Sequence, residues 1–548
     1  MKRKKRSLFI LLIIALSSIY CLKGSCQSLR SSKSLTDVAG ESSNNNYGLD
    51  FRSHGDNTEE FYLDYQDLIE LSKTPVPQGK LKENLENQLN KAYIVQPTKP
   101  EEKFLYGMTL GEFFRVASWN IERGFNVDLI EKVFSSKDLL EEASSHDIDN
   151  DELFKELLVL REASVIVLNE VDIGLPRTHY QNIVRKLAQG LNAGYVFGTE
   201  FIEVDPYQLG LKKFTNEERL FLEQQALSQL DNIEKEKFKG LHGTAILSKY
   251  PILNAKILRL PDCYNWYMEE SNKLTALEMV RRGVAKKIFS EKVLTELRHG
   301  GRMAIVAELL LPKNNKITVV ATHIENRCLP ECRYKQLEFL LKSLRFVKGP
   351  LILAGDFNTT GSDASPVSVK KEVFKRVKDP AYVARQAIWY LTPLGFVENV
   401  ILNTTNALRN YKDPTTKHIP IVLPNKERKL FDLLGEYRFN DGGAFDLRGV
   451  PEKTHNGYYA LLSNSNERGI KGFKPTFELE RDLGVAKYKL DWFFVKSLNL
   501  KDPKDKNGSY AYAPHFGRTL SSANRAFSGR LSDHDPITVD IPIGEPLR

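Results

Sequence analysis

Cysteine is scarce in this chain. Of five in all, only Cys263, Cys328 and Cys332 lie beyond the first 26 residues. Two close thiols without a second pair make a poor zinc site. Cys328 and Cys332, four apart in CLPEC, are expected to close a small clip, leaving Cys263 as a buried thiol. Charge of one sign is scarce too. The formal balance is +8, but residues 1–26 hold Lys2, Arg3, Lys4, Lys5, Arg6 and Lys23 and no acid, so without them it falls to +2. A near-neutral remainder gives no electrostatic argument for nucleic acid. Long apolar runs are missing beyond the N-terminus, which excludes a further membrane-spanning helix of ordinary length. Internal repeats are missing as well.

The sequence has 548 residues, 41% of them hydrophobic and 27% charged. That is ordinary for a globular protein and enough for one large domain with insertions, or two domains. Lys2 to Arg6 form a positive segment, followed by an apolar stretch from Leu8 to Leu22. This pattern suits an export signal better than a full span. Residues 1–26 are therefore expected to be a signal peptide or N-terminal anchor, and the protein to be exported: secreted, periplasmic or extracellular, or held to a membrane by its N-terminus. Residues 27–103 read as a Ser/Asn-rich tether followed by short helical patterns broken near Pro75 and Pro77, with the ordered domain covering 104–548. Stretches at about 205–239 and 359–470 look like insertions.

Several short apolar, β-branched runs end abruptly in polar residues. FRVASWN stops at Asn120, ASVIVLNE at Glu170, KITVVATH at His323, and PLILAGDFN at Asp356 and Asn358. Runs of this kind read as buried strands. Helical patterns such as DELFKELLVLREA and RYKQLEFLLKSLRF lie between some of them, which argues for α/β layers. A buried strand has no reason to finish on Asn, Glu, His or Asp unless its end opens on water or a site. Four doing so suggest one shared edge lined with metal-binding and proton-handling groups.

The ordered set ASWNIERG, VIVLNEVD, HGTAILSKYPI, ATHIENR, ILAGDFNTT, KLDWFFVK and LSDHDPI resembles the endonuclease/exonuclease/phosphatase superfamily, over residues 104 to 542. That superfamily includes pancreatic-type deoxyribonucleases, apurinic endonucleases, neutral sphingomyelinases and inositol polyphosphate 5-phosphatases. The resemblance implies an α/β fold, a four-layer sandwich of two packed mixed β-sheets flanked by helices. It implies that Asn120, Glu170 and Asp533 hold Mg2+ or Mn2+. Asp356 would activate water, Asn358 would orient it, and His323 would contact the phosphate. His534 would stabilise the transition state, with Asp491 fixing its ring. Arg302 and Thr476 fall where relatives place substrate-side residues. Glu122 stands near the metal position. His242 and His299 read as structural, and Arg333 and Gln336 as substrate or scaffold contacts.

These roles make chemical sense together. Phosphoester hydrolysis needs a cation on a phosphoryl oxygen, a base for the water, and donors for the developing charge. The expected activity is metal-dependent hydrolysis of a phosphodiester in nucleic acid. A phospholipid or inositol-phosphate head group is the alternative substrate, and an inactive binding module on the same fold is the alternative of another class. No obligate protein partner is evident.

Overall fold

The computed structural model describes residues 60–143, 148–213, 233–271, 297–359, 427–454, 459–469, 472–478, 487–527 and 529–547. The expected signal or anchor, the tether up to residue 59 and the central parts of both expected insertions lie outside the described residues.

Two β-sheets form the centre. The larger contains β1 (Ala92–Val95), β2 (Leu105–Gly107), β3 (Gly111–Asn120), β4 (Val165–Ile173), β5 (Gly194–Glu203), β6 (Leu241–Ser248), β8 (Arg298–Gly300), β17 (His515–Thr519) and β18 (Ile537–Pro542). Its order is β1-β5-β6-β4-β3-β18-β17, with β2 on β3 and β8 on β5. The smaller contains β7 (Ile252–Arg259), β9 (Met303–Leu311), β10 (Asn315–His323), β11 (Leu351–Asp356) and β16 (Asp491–Lys496), in the order β16-β11-β10-β9-β7. Each sheet carries one parallel pair, β3 with β4 and β10 with β11, among antiparallel ones. Two short hairpins, β12 (Arg468–Gly469) with β13 (Gly472–Phe473) and β14 (Phe477–Glu478) with β15 (Lys487–Tyr488), complete the strands.

The period-two alternation of strand side chains divides the core into three. Phe114, Val116, Val165 and Val167 of the larger sheet meet Val319, Ala321, Ile352, Ala354 and Phe493 of the smaller one. Their neighbours Ala117, Trp119, Ile166 and Leu168 face the opposite way, onto helices α3 (Val127–Ser135), α5 (Ile148–Arg161) and α6 (Ile183–Leu191). Val320, Leu351, Leu353 and Phe494 cover the outside of the smaller sheet against α8 (Pro330–Leu344) and α9 (Arg428–Glu436). Strands buried on both faces explain the continuous apolar runs. Each fully buried Leu, Ile, Val or Phe contributes roughly 1.5–3 kcal/mol relative to exposure. The result is helix, sheet, sheet, helix: the four-layer α/β sandwich that the resemblance implies.

The packed body begins near residue 60 rather than at 104. Helix α1 (Tyr65–Lys73) starts at Asp64, whose side chain accepts the Asp67 N–H at 2.7 Å, an ordinary N-cap. Leu68 and Leu71 of α1, Leu85 of α2 (Gly79–Asn90) and Tyr93 of β1 enter the same core as α3 and α6, and β1 pairs with β5. Proline breaks made these elements look like a linker. The described end of the second expected insertion is also partly core, since Phe431, Phe439 and Phe445 pack over the smaller sheet.

The sulfur pairing differs from the sequence expectation. Cys263 is bonded to Cys332, 69 residues away, and Cys328 is buried outside that disulfide. Leu329 is extended and Pro330 opens α8. Cys328 thus lies outside the helix, its thiol 3.4 Å from the Glu325 carbonyl oxygen, while Cys332 sits in the first turn.

Candidate active site

The inward stripes of both sheets change from apolar to polar at one end of the sandwich. On β3 the stripe runs Phe114, Val116, Ser118, Asn120. On β10 it runs Val319, Ala321, His323, on β11 Ile352, Ala354, Asp356, and on β16 back from Val495 and Phe493 to Asp491. Register aligns these ends. His323 pairs with Asp356 across β10 and β11, and Asp356 with Asp491 across β11 and β16.

Glu170 reaches this pocket by a local irregularity. The β4–β6 register shifts between Leu168 and Val171, and Glu170 has φ +56°. A bulge of this kind re-aims one side chain and bends the strand. A left-handed non-glycine residue costs of the order of 1–2 kcal/mol. The neighbouring Asn169 fastens the two sheets. Its Oδ1 accepts the Asp356 N–H at 2.9 Å, and its Nδ2 donates to the Thr322 carbonyl at 3.1 Å and to Thr244 Oγ1 at 3.0 Å. Gly355 is forced by the same closeness: at φ +138°, a Cβ there would lie 1.9 Å from the Thr322 oxygen.

Asp356 is the hub. Its Oδ1 accepts the Asn358 N–H at 2.8 Å, and its Oδ2 accepts from Asn120 Nδ2 at 3.2 Å. Oδ2 is also 3.6 Å from His323 Nε2 and 3.9 Å from His534 Nε2. Burial raises its carboxyl above the usual range and Asp491 adds to that, against the pull of His534 and His323. Asn358, at φ +46°, spends Nδ2 on the Ile324 carbonyl at 2.9 Å. What it does for Asp356 it does through its backbone.

His534 is held by Asp491, Nδ1 to Oδ2 at 2.8 Å. Burial opposes its charge, but Asp491, Asp356 and Asp533 together hold the imidazolium well above the ordinary histidine range. Its loop is tied to β3 by Trp119 Nε1 donating to the His534 carbonyl at 2.9 Å and Ser532 Oγ donating to the Asn120 carbonyl at 2.7 Å. Ser532 Oγ also accepts the His534 N–H at 3.1 Å, which gives the serine of SDHDP a scaffold role.

His323 is oriented from behind. Arg302 Nη1 lies 2.8 Å from His323 Nδ1 and donates to Glu200 Oε2 at 2.7 Å. Arginine only donates, so Nδ1 is the acceptor and the ring proton sits on Nε2, facing Asp356. Arg302 also reaches Glu325 at 3.4 Å, and its side chain is 3% exposed. Thr476 is buried, and its Oγ1 accepts the N–H groups of Leu490 and Asp491 at 3.1 and 3.2 Å. Both were expected at the substrate. In this structure both are buried, Arg302 behind His323 and Thr476 behind the Asp491 backbone.

Asn120 Nδ2 is 3.3 Å from Glu170 Oε1. Burial works against Glu170 ionising, yet His323, His242, Arg123 and His534 hold it below the usual range. Asp533 goes the other way, raised by burial and by Glu170 and Asp356. The carboxylates of Glu170 and Asp533 and the amide of Asn120 would make an all-oxygen donor set, the kind suited to a hard divalent cation. As it stands Asn120 Oδ1 accepts the Glu122 N–H at 3.1 Å, so presenting Oδ1 to a cation would mean turning the amide and giving up that bond. Asp356, Asp491 and His534 also offer atoms within 4.8 Å of one another, and the hydrogen bond between the last two accounts for much of that closeness.

The structure thus brings together Asn120, Glu170, His323, Asp356, Asn358, Asp491, Asp533 and His534. Glu122 meets Asn120 through its backbone N–H, 3.1 Å from Oδ1. His242 is bonded to Asp172 at 2.8 Å, and His299 to the Leu71 carbonyl at 2.9 Å. Arg333 pairs with Glu427, and Gln336 bridges the Glu325 N–H and the Pro261 carbonyl. Sequence reasoning missed Glu200, Asn169 and Glu325. The signal for the first was an acid inside the apolar run GYVFGTEFI.

Residues 117–372 match the Endonuclease/Exonuclease/phosphatase family model. The comparison with curated proteins returned no match. Similar solved structures include an endonuclease/exonuclease/phosphatase from Beutenbergia cavernae, with 14% identity, 79% of this chain and 72% of that chain covered, and a TM-score of 0.35. The human Nocturnin catalytic domain has 12% identity, 82% and 96% coverage, and a TM-score of 0.33. A 3′-5′ exonuclease from Neisseria meningitidis has 13% identity, 78% and 99% coverage, and a TM-score of 0.34. Over residues 117–372, then, this chain is similar to the endonuclease/exonuclease/phosphatase family, whose members are hydrolytic phosphoesterases.

Proposed function

We propose that this chain is an exported phosphodiesterase, dependent on Mg2+ or Mn2+ and acting on nucleic acid. The observation that carries the hydrolytic reading is Asp356: a buried carboxylate with a histidine Nε2 on either side, at 3.6 and 3.9 Å. A divalent cation held by Asn120, Glu170 and Asp533 would withdraw charge from the phosphoryl oxygens. Asp356 accepts the proton of the attacking water, and its raised affinity for protons suits that task. His323 donates from Nε2 toward the phosphate. His534, charged and fixed by Asp491, donates to a non-bridging oxygen as negative charge develops.

Export rests on the N-terminal pattern of the sequence, which also admits an anchor at a membrane surface. The choice of nucleic acid over a phospholipid or inositol-phosphate head group rests on the simplest phosphodiester available outside a cell. A substrate panel on the purified protein tests both. DNA, RNA, sphingomyelin and inositol polyphosphates are each incubated with EDTA and with EDTA followed by excess Mg2+. Nicking of DNA or RNA that needs the added metal is expected. Phosphocholine or inorganic phosphate release without nucleic-acid cleavage would move the assignment to lipid or inositol substrates. Turnover of nothing in the panel would overturn the enzyme reading.

A further inference from the structure

Trp266 opens helix α7 (Trp266–Ser271), outside every motif that carries the family resemblance. It is 2% exposed. The guanidinium of Arg298 lies 3.6 Å from its ring centre, and that of Arg327 lies 4.4 Å away. Arg298 also stands 3.8 Å from the Phe201 ring. Cations against a desolvated indole hold its plane, because the ring quadrupole attracts them. A plane so held fixes the direction of the one polar group on the side chain. Nε1 donates to Glu325 Oε2 at 3.0 Å.

Glu325 stands two residues after His323 and is buried as well. Its Oε1 accepts the Arg327 N–H at 2.9 Å, and its own N–H is held by Gln336 Oε1 at 3.0 Å. The oxygen that takes the indole N–H also faces Arg302 Nε, 3.4 Å away. Arg302 thus has two buried acids beside it, Glu200 at 2.7 Å and Glu325 at 3.4 Å, while it holds His323 Nδ1 at 2.8 Å. A guanidinium is a planar fork, so a shift of one arm moves the others. A buried carboxylate oxygen that loses a donor draws on the next one within reach, since leaving it unmet is costly. With the indole N–H gone, that donor is Arg302 Nε.

We propose that Trp266 is a positioning residue for the reaction. By occupying Glu325 Oε2 it leaves the Arg302 fork seated on Glu200 and His323, and so keeps the His323 Nε2 proton facing Asp356. It touches no substrate. The inference rests on the phosphoesterase reading for its effect on rate, but not for its effect on the His323 ring.

The test uses Trp266→Phe and the double variant Trp266→Phe/Glu325→Gln in the full chain, with two readouts. Phenylalanine keeps an aromatic face for Arg298 and Arg327 and loses the N–H. If Trp266→Phe does not fold by its far-ultraviolet spectrum, Trp266→Tyr, which fills more of the same space, takes its place in both. The first readout needs no substrate: the ring-nitrogen resonances of His323, assigned by their loss in His323→Gln. Trp266→Phe is expected to move the Nδ1 resonance, and the double variant, which withdraws the competing charge along with the indole, to bring it back. Against a substrate that the wild type turns over, Trp266→Phe should lower kcat by about fivefold with KM within about twofold, and the double variant should recover most of that loss. Losses that simply add in the double variant overturn the inference, because they mark a packing role. An unmoved His323 signal in Trp266→Phe overturns it whatever the activity. A wild type that hydrolyses nothing, with the ring signal still moving in Trp266→Phe, overturns only the phosphoesterase reading.

Discussion

Asp491 and His534 lie 43 residues apart in the chain, yet Oδ2 and Nδ1 are 2.8 Å apart in the fold. The carboxylate fixes the tautomer, supplies the charge that favours imidazolium, and is set in place by its ladder pairing with Asp356. Asp491→Asn keeps the shape and removes the charge. It is expected to lower kcat by on the order of 10²-fold with an unaltered far-ultraviolet spectrum. Wild-type turnover in this variant would show that His534 needs no carboxylate.

Arg302 makes a separable contribution through His323. Arg302→Lys keeps a cation but loses the planar fork that contacts Glu200 and His323 together. A fall in kcat of about tenfold is expected, with KM within about twofold, because the side chain is buried behind the ring. A rise in KM alone would return Arg302 to the substrate-contact role.

Glu156 gives a pH dependence away from the chemistry. In α5 it accepts the Ser522 and Ala523 N–H groups at 2.6 and 2.9 Å, and burial raises its carboxyl to about 7 from 4.5. A raised folded pKa means that the native state binds the proton more tightly than the unfolded one. Glu156 therefore favours folding below about pH 4.5 and loses that contribution as pH climbs toward 7. Urea unfolding at pH 5 and pH 8 should show Glu156→Gln losing less stability across that interval than wild type, by on the order of 2 kcal/mol. Equal losses would contradict the assignment.

The sulfur pairing is checked by non-reducing peptide mapping with free thiols blocked. A cross-linked peptide joining Cys263 to Cys332 is expected, with the blocking group on Cys328. Cys263→Ala should cost about 2–4 kcal/mol, since the bridge closes a long segment of chain. A peptide joining Cys328 to Cys332 in the wild type would restore the pairing that the sequence suggested.

Strand ends were legible because sequence records the inward stripe directly: an apolar run interrupted by Asn120, His323 or Asp356 betrays a change from core to cleft. Where the informative signal was spatial, it was not legible. Cys263 and Cys332 meet because β7 and α8 converge, and nothing in CLPEC encodes that. Arg302 and Thr476 fall at recurring positions, but only the fold reveals their burial and their bonds to His323, Leu490 and Asp491. Glu170 gave its identity in sequence and its aim only in the bulge. The start of the packed body was obscured because α1 and α2 are short and bounded by prolines, and their worth lies in covering a sheet edge.

His323, Asp356 and Asp491 stand side by side, in register, on three neighbouring strands. The stretch from Phe357 to Leu490 leaves and re-enters the sheet between two adjacent strands, so the ladder sets how far apart those side chains stand while parts of the excursion return to brace it. That excursion is not cargo, because trimming it would strip Phe431, Phe439 and Phe445 from the cover of the smaller sheet and Thr476 from the Asp491 backbone.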